Sequence, residues 1–422
     1  MDEFKIIPIN VGHGESILVC INHNDRKFNL LVDGGSYCKS TDAYNKPVFH
    51  VGNIKRIAQT TDLHGLVVSH VDDDHIGGII HIIREWKKLD QERNFFLIFN
   101  DYIDHSISFS QGEVLIDEIE QLQKNQNINI RILNTYSKRY ISANRWIQKY
   151  LYTLPIQVLS IFQRKMLPEK RSDYIYLTLL TPGKNEINSL MQEWKKYKIG
   201  KQKEKKTSAN GKIINDSSIS LLLEYDGHTI LFTGDSSIEL IRYKLNELSK
   251  VINHIDYINL CHHGAAENNR GILELLEEYK CANVFASTNS VRYPEHPSLF
   301  MLYKILRRNS GTKIYLTNEL LCLGQRPKWN LDNSKVFSGG PNVEENINTI
   351  VQNLEAMEFP PDQQNLEKFV EGMKDKLVVN SSGKIIMDVD KLIEAFCAQI
   401  KDELEKAIGD GKIICKQEYI AI

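Results

Sequence analysis

Ser69-His70-Val71-Asp72-Asp73-Asp74-His75-Ile76-Gly77-Gly78 is the stretch around which the sequence is organised. Just before it, Leu66-Val67-Val68 is an apolar run typical of a buried strand. After the two glycines, the apolar run Ile79-Ile80-His81-Ile82-Ile83 predicts the first turns of a helix. Two imidazoles and several carboxylates on one turn at a strand end suit a divalent cation, because these ligands together favour zinc, manganese or iron.

The alternative interpretation of this stretch is a solvated acidic turn, since turns rich in aspartate are common. We favour the metal site, because two histidines and three carboxylates crowded so closely would repel or stay unsatisfied without a cation. Histidines at this spacing beside a Gly-Gly pair are difficult to explain by solvation alone.

The stretch resembles the His-x-Asp-x-Asp-His metal motif of the metallo-β-lactamase superfamily. More narrowly, it is similar to the branch related to the soluble hydrolase domain of the DNA-uptake competence proteins, because the second position is Asp72 where most members have histidine. The resemblance covers roughly residues 4–325 and is loose over 100–210. It implies an α/β fold, the αββα sandwich of two mixed sheets with helices outside and metals at one edge.

Three further blocks follow in the family's order, at residues 215–218, 230–235 and 258–264. Ile230-Leu231-Phe232-Thr233-Gly234-Asp235 is a strand that delivers a carboxylate, and the resemblance makes Asp235 the ligand that bridges two metals. Asn215-Asp216-Ser217-Ser218 matches an Asn-x-x-Ser element, at a point where other members supply a histidine ligand to the first metal. We therefore expect the first metal site to be the weaker one, or to borrow Asp216 or water.

The third block, Ile258-Asn259-Leu260-Cys261-His262-His263-Gly264, resembles the family's Val-x-His-His-Gly turn. One histidine should bind the second metal, and the other should line the cleft as a hydrogen-bond donor or general acid. We favour His262 as the ligand because it is the first histidine after the strand, which leaves His263 for catalysis.

Three weaker matches concern the rim of the site. Gly12-His13-Gly14-Glu15-Ser16 resembles the branch's Val-Gly-Gln-Gly-Asp-Ser block, so His13 either projects toward the cleft or is a structural histidine. Asp33 lies in a Leu-Ile-Asp-Gly-Gly-like turn, where we expect it to hold backbone amides. The run Arg292-Tyr293-Pro294-Glu295-His296-Pro297 resembles an Arg-Tyr-x-His-Pro turn that would contact an anionic leaving group, although a plain proline turn is the alternative.

The predicted site can be stated by role. Two divalent metal ions, zinc or manganese, are expected on His70, Asp72, Asp74, His75, Asp235 and His262. The expected catalytic residues are Asp74, His263 and His296, and the expected substrate-binding residues are His13, Arg292 and Asp216. The resemblance implies hydrolysis by water that both cations activate, which requires no nucleophilic side chain.

The composition of the chain predicts the cellular compartment of the protein. The chain has 422 residues, 42% of them hydrophobic, and a formal net charge of −2, which gives no overall attraction to nucleic acid or membrane. Its seven cysteines are scattered without a CxxC pair, which favours free thiols in a reducing cytoplasm. The start does not resemble a signal peptide, and no apolar run approaches the roughly 18 residues that span a bilayer. We expect a cytoplasmic protein that does not contact membranes.

The remaining organisation comprises an insert and a C-terminal extension. Residues 194–212 carry eight lysines and one glutamate, which predicts a solvated loop or, alternatively, a lid that attracts phosphate. We place the hydrolase domain at 1–330, with a lysine-rich insert at 195–212, and a linker and mostly helical appendage at 331–422. The amphipathic stretch 389–408 could pack on its own domain, or bind a protein partner or a second copy.

The resemblance implies a metal-dependent hydrolase but not its substrate, because this superfamily cleaves phosphodiesters, lactams, thioesters and lactones. The branch, Arg292 and the lysine-rich insert favour a phosphodiesterase or nuclease that acts on DNA or RNA. The alternatives are a small-molecule hydrolase, of a cyclic nucleotide or acyl ester, and a regulatory subunit with a degenerate metal site.

Overall fold

The computed structural model describes residues 3–12, 14–36, 40–41, 47–48, 51–89, 91–100, 110–124, 128–135, 140–167, 169–202, 211–288, 296–309, 311–318, 400–415 and 420–422. His13, Arg292 and the predicted domain boundary at residue 330 lie outside these residues.

The described residues form strands β1 (Glu3–Pro8), β2 (Ile17–His23), β3 (Arg26–Val32), β4 (Ser40–Thr41), β5 (Pro47–Val48), β6 (Gly65–Val67), β7 (Arg93–Ile98), β8 (Ile128–Leu133), β9 (Ile156–Ser160), β10 (Ile175–Thr181), β11 (Ser220–Tyr225), β12 (His228–Phe232), β13 (Tyr257–Asn259), β14 (Asn283–Ala286), β15 (Lys313–Leu316), β16 (Ile413–Cys415) and β17 (Ile420–Ala421). The helices are α1 (Val51–Thr60), α2 (Asp73–Trp86), α3 (Ser110–Gln123), α4 (Tyr140–Tyr150), α5 (Ile161–Lys165), α6 (Lys184–Gln202), α7 (Gly211–Asp216), α8 (Ile238–Asn246), α9 (Ile272–Glu278), α10 (Leu299–Arg308) and α11 (400–409).

The first sheet contains seven strands in the order β17-β1-β2-β3-β6-β7-β8. Strands β1, β2 and β3 are antiparallel, whereas β3, β6, β7 and β8 run parallel. Asn24 and Asp25 form the two-residue turn of the β2–β3 hairpin, and both have positive φ. This turn geometry matches the right-handed twist of the two strands. The parallel half of the sheet carries the site, because β3 and β6 both end at the same edge.

The second sheet contains eight strands in the order β16-β15-β14-β13-β12-β11-β10-β9. Strands β12 to β16 run parallel, and β11 is antiparallel to both of its neighbours. Asp226 and Gly227 form the turn of the β11–β12 hairpin, with φ of 46° and 84°. Because β12 and β13 are parallel, both strands end at the same edge of this sheet.

Three apolar clusters define the layers. One lies between the two sheets and contains residues of both, among them Phe4, Ile6, Leu177, Phe232 and Phe285. A second packs α1, α2 and α3 against the outer face of the first sheet, and a third packs α8 to α11 against the outer face of the second. The order of layers is therefore helices, sheet, sheet and helices.

These observations confirm a mixed α/β fold with two mixed sheets. The C-terminal segment predicted as an appendage contributes α11 to the third cluster and one edge strand to each sheet, β16 beside β15 and β17 beside β1. None of the helices in the described part of the chain combines the length and apolar character needed to span a bilayer.

The lysine-rich insert is partly helical. Residues 195–202 continue helix α6, and α7 begins at Gly211, so the expectation of a loop is wrong for these residues. Residues 203–210 lie outside the described part of the chain.

Candidate metal centre

The histidines and aspartates of the site follow the carboxyl ends of four parallel strands. Asp33 follows β3 and His70 follows β6 in the first sheet, whereas Asp235 follows β12 and His262 follows β13 in the second. Because these strand ends point to one edge of the molecule, residues far apart in the chain converge there. Ligand sites in α/β folds commonly occupy this position.

Asp235 lies at the centre of the cluster and is 3% exposed. Its Oδ1 is 3.1 Å from Nε2 of His75, and its Oδ2 is 3.6 Å from Nε2 of His70 and 3.5 Å from Nε2 of His262. The two oxygens therefore face different histidines.

Asp33 orients His75. Its Oδ2 accepts a hydrogen bond of 2.8 Å from Nδ1 of His75, and its Oδ1 accepts one of 2.8 Å from the backbone N–H of Ser69. Since Nδ1 donates to this carboxylate, Nε2 of His75 is the nitrogen that faces Asp235. A carboxylate behind a histidine is a common device for orienting metal-binding imidazoles.

Two serines hold His70 by its other nitrogen. Ser69 Oγ donates to Asp33 Oδ2 at 2.6 Å and lies 3.0 Å from Nδ1 of His70, so it accepts from that nitrogen. Ser218 Oγ lies 3.1 Å from the same Nδ1 and accepts a hydrogen bond of 3.2 Å from the backbone N–H of Asp235. Nε2 of His70 is therefore turned toward Asp235.

The double-histidine turn contributes one imidazole to each side of the cluster. Nδ1 of His263 donates to the carbonyl of Ser287 at 3.1 Å, and its Nε2 is 3.3 Å from Oδ2 of Asp74. His262 instead faces Asp235. Both histidines have positive φ, 48° and 55°, a strained conformation that tends to mark functional sites.

Asn269 stabilises this turn. Its side-chain amide nitrogen donates to the carbonyls of Cys261 and Ala265, and its oxygen accepts from the backbone N–H of Cys261. Gly264 completes the left-handed run with φ of 86°. The local hydrogen bonds thus offset the cost of holding two consecutive histidines in this conformation.

Close backbone contact brings the first sheet's loops together. A Cβ at Gly14 would lie 1.9 Å from the carbonyl oxygen of Asp74, and a Cβ at Gly78 would lie 1.9 Å from that of Gly34. The backbone N–H of Glu15 donates to the same Asp74 carbonyl at 2.9 Å. The glycines are therefore needed so that helix α2 can start directly against these two loops.

The donor set fits a metal ion. Two groups of ligand atoms, His70, His75 and Asp235, and Asp74, His75 and His263, each lie within 4.8 Å of one another and could hold a cation. Nε2 of His70, Nε2 of His75 and Oδ1 of Asp235 are buried without a hydrogen-bond partner among the described residues. Imidazole and carboxylate lone pairs that face each other in a buried site repel unless a proton or cation lies between them.

The electrostatics favour positive charge at the same place. Burial alone would lower the pKa of His75, but the carboxylates of Asp235 and Asp33 raise it well above its usual value. Burial and the neighbouring His75 lower the pKa of His70, while the surrounding histidines hold the pKa of Asp235 well below its usual range against the effect of burial. The carboxylates that attract a proton to His75 would also attract a metal cation.

Three other predicted site residues, Asp72, His296 and Asp216, differ in how they are placed relative to the metal-ligand cluster. Asp72 Oδ2 is 3.8 Å from Nε2 of His70, and the ring of His296 stands edge-on to that of His262 with 4.9 Å between centroids. Burial raises the pKa of Asp216, whose charged neighbours are Lys212, Glu186 and Glu267.

Sequence reasoning did not assign roles to several residues that the structure brings into the site. Ser69 and Ser218 hold His70, and Asn268 contacts His262. Glu15 is fully buried, and both of its carboxylate oxygens accept from Nδ2 of Asn259 at 2.8 Å. Burial raises the pKa of Glu15 to about 8. All of them lie in or beside the quoted motifs, but serine, asparagine and a single glutamate carry little signal without tertiary contacts.

No family model matches the chain, and no curated protein is significantly similar to it. The geometry of the cluster and the motifs quoted above are therefore what supports an assignment. Within the part of the chain that the structure describes, the buried His/Asp groups could hold a metal ion.

Proposed function

We propose that the protein is a metal-dependent hydrolase of the metallo-β-lactamase type that cleaves phosphodiester bonds in DNA or RNA. The observation that carries this proposal is the divided environment of Asp235, whose Oδ1 faces His75 and whose Oδ2 faces His70 and His262. One carboxylate between two sets of imidazoles is the ligand pattern of a two-metal hydrolytic site.

The ligands separate into two sets around Asp235. His70 and His262 would hold one cation together with Asp235, and His75, His263 and Asp74 would hold the other. The sequence expectation made His262 the ligand and His263 a catalytic residue, whereas this division uses both histidines of the Cys261–Gly264 turn as ligands. Zinc or manganese suits the mixture of imidazole and carboxylate.

Bound cations of this kind lower the pKa of water to about 7 and stabilise negative charge on the attacking and departing oxygens. The chain's own groups orient the reactants. Asp72, whose side chain is 42% exposed, can accept a proton from water at its carboxylate, and its partner His70 is held in place by Ser69 and Ser218. His296, beside His262 at the rim, can donate a proton to the leaving oxygen.

The phosphodiester substrate is supported by the lysine-rich insert. Lys195 and Lys196 are exposed on α6, and α6 and α7 pack on the same apolar cluster through Trp194 and Ile213. Helix α7 leads directly to Ser218, which contacts His70. Positive charge in a segment tied so closely to the site suits a polyanionic substrate.

The test uses purified protein loaded with Mn²⁺ or Zn²⁺ and four substrates: plasmid, single-stranded DNA, RNA and a bis-phosphodiester reporter. We expect metal-dependent cleavage of at least one nucleic acid, and no cleavage after chelation. Turnover of the reporter alone would move the assignment to a small-molecule hydrolase. A protein that binds no metal after reconstitution would contradict the proposal and favour a regulatory role.

A further inference from the structure

Asn268 connects the two loops that come from the second sheet. Its Nδ2 donates a hydrogen bond of 2.9 Å to the backbone carbonyl of Asp235, and its Oδ1 lies 3.1 Å from Nδ1 of His262. A backbone carbonyl can only accept, so the amide nitrogen must face Asp235 and the amide oxygen must face His262. The orientation of the amide therefore follows from its own contacts.

This orientation determines the tautomer of His262. Because Oδ1 of Asn268 can only accept, Nδ1 of His262 carries the hydrogen. In the neutral ring Nε2 is then the nitrogen with the free lone pair, and it is the one that faces Oδ2 of Asp235 at 3.5 Å. The opposite tautomer would present a hydrogen to this position and could not bind a cation there.

His262 needs such a restraint more than the other histidines do. Its side chain is 27% exposed, whereas those of His70, His75 and His263 are 1%, 0% and 5% exposed. Packing therefore constrains its ring least. Asn268 is itself well anchored, because its backbone carbonyl accepts a hydrogen bond of 2.8 Å from the N–H of Ile238 at the start of α8.

We propose that Asn268 is a positioning residue that fixes His262 in the tautomer with a free Nε2 and holds it against Asp235. Its consequence for metal binding rests on the proposed function. Loss of a residue that orients a ligand typically weakens metal affinity by about 10- to 100-fold, and we expect this range for Asn268→Ala.

The tautomer is measured in metal-free protein at pH 8 by long-range proton–nitrogen NMR of the histidine rings. Wild type should show a protonated Nδ1 and a bare Nε2 at His262, and Asn268→Ala should show a mixture of tautomers. Asn268→Asp should retain the wild-type tautomer, because its carboxylate still accepts from Nδ1. Metal affinity is then measured by titration with Zn²⁺.

Asn283→Ala is the matched control, since it also removes a side-chain amide that donates to a backbone carbonyl, that of Asp256 at 3.1 Å, away from the site. It should leave both the tautomer and the zinc affinity unchanged. A wild-type tautomer in Asn268→Ala, or a zinc affinity equal to that of Asn283→Ala, would overturn the inference. If Asn268→Ala does not fold, a mixed tautomer in Asn268→Asp would overturn it instead. Absence of zinc binding by wild type would refute the proposed function, and the tautomer measurement would still decide the role of Asn268.

Discussion

At the scale of single residues, the site depends on what lies behind each imidazole. Asp33, Ser69, Ser287 and Asn268 each accept from an Nδ1 atom, which leaves the Nε2 atoms directed toward carboxylates. Each histidine is therefore oriented before any cation binds. This preorganisation is the reason why removing Asp235, which all but one of these Nε2 atoms face, should have the largest effect.

Asp235→Asn keeps the shape of the side chain but removes the negative charge shared by the two ligand sets. We expect metal content to fall from about two ions per chain to fewer than one. The rate of hydrolysis should fall by more than about 100-fold, because loss of a residue that only orients a ligand already costs up to about 100-fold. Elemental analysis after dialysis and initial rates give the two measurements.

Asp256→Asn is the control, because Asp256 is also a carboxylate beside two histidines, 3.2 Å from His254 and 3.7 Å from His228, but lies away from the cluster. It should keep both metals and full activity. An Asp235→Asn protein with undiminished metal content would show that this carboxylate is not a ligand.

The pKa shifts predict how stability depends on pH in the metal-free protein. Glu15 has a pKa raised from 4.5 to about 8, and the pKa of His75 is raised well above 6.5. Both groups hold their protons more tightly when the protein is folded, so the free energy of unfolding should fall as pH rises from about 7 to 9. The lowered pKa of His70 adds no slope there, because it titrates below this range.

Denaturant unfolding from pH 6.5 to 9 measures this dependence, with a chelator and with saturating Zn²⁺. We expect a smaller decline with zinc, since the cation takes the place of the proton at His75. Glu15→Gln should also flatten the slope of the metal-free protein. A free energy of unfolding that rises with pH in the chelated sample would be inconsistent with both shifts.

At the scale of elements, the site is assembled by loops that follow parallel strands, and the lysine-rich insert belongs to the same region. Helix α6 runs from Lys184 to Gln202, and α7 ends two residues before Ser218. A short, packed segment thus connects the end of the insert with Ser218, which contacts His70.

Replacing Lys195, Lys196, Lys198 and Lys201 by Gln changes the charge of α6 with little change in helix propensity. If this helix contacts nucleic acid, its affinity should weaken, and the slope of log affinity against log salt should fall by about 0.7–0.9 for each phosphate that the variant no longer neutralises. Fluorescence anisotropy with labelled DNA and RNA at several salt concentrations provides the measurement.

Neutralising Lys244, Lys250, Lys313 and Lys401, which lie outside the insert, serves as the control and should leave the salt slope unchanged. Turnover of the small phosphodiester should be the same in both variants. Equal affinities in the two variants would mean that the insert is only a solvated segment.

At the scale of the whole molecule, contacts between distant parts of the chain protect the edges of both sheets. Strand β17 pairs with β1 and β16 pairs with β15, so the C-terminal residues supply one edge strand of each sheet, with two residues in β17 and three in β16. At β9, Asn144 of α4 donates to the carbonyl of Val158 and accepts from its N–H. Very short edge strands, and an edge covered by a helix side chain as at β9, limit pairing with other chains.

Substitution of Leu404 measures how much the packing of α11 on the outer face of the second sheet contributes to stability. It is fully buried among residues of α8 to α10, so Leu404→Ala should lower the free energy of unfolding by about 2–5 kcal/mol. Ile408→Ala, on the same helix at 36% exposure, should cost less than about 1 kcal/mol. Urea denaturation compares them, and equal small losses would mean that α11 contributes little to the fold.

Much of the architecture was predictable from local patterns. The apolar runs that form β6 and β12, and the part of helix α2 after the Gly-Gly pair, follow from apolar patterning and β-branched residues, which act over a few neighbours. The helical course of 195–202 was missed because its lysines suggested solvation, whereas packing of α6 through Leu190 and Trp194 stabilises the helix.

For the site, the sequence by itself determined which residue types could bind a metal, because imidazole and carboxylate groups carry their lone pairs into whatever fold the chain adopts. Only the tertiary structure decided how they group: Asp235 faces histidines of both sheets, and His263 rather than His262 joins Asp74. It also decided that Asn268, Ser69 and Ser218 hold the Nδ1 atoms, so that the Nε2 atoms face the carboxylates. The reason is physical. Ligand type is a property of a side chain, whereas ligand grouping depends on distances of a few ångströms between loops that only the packed sheets bring together.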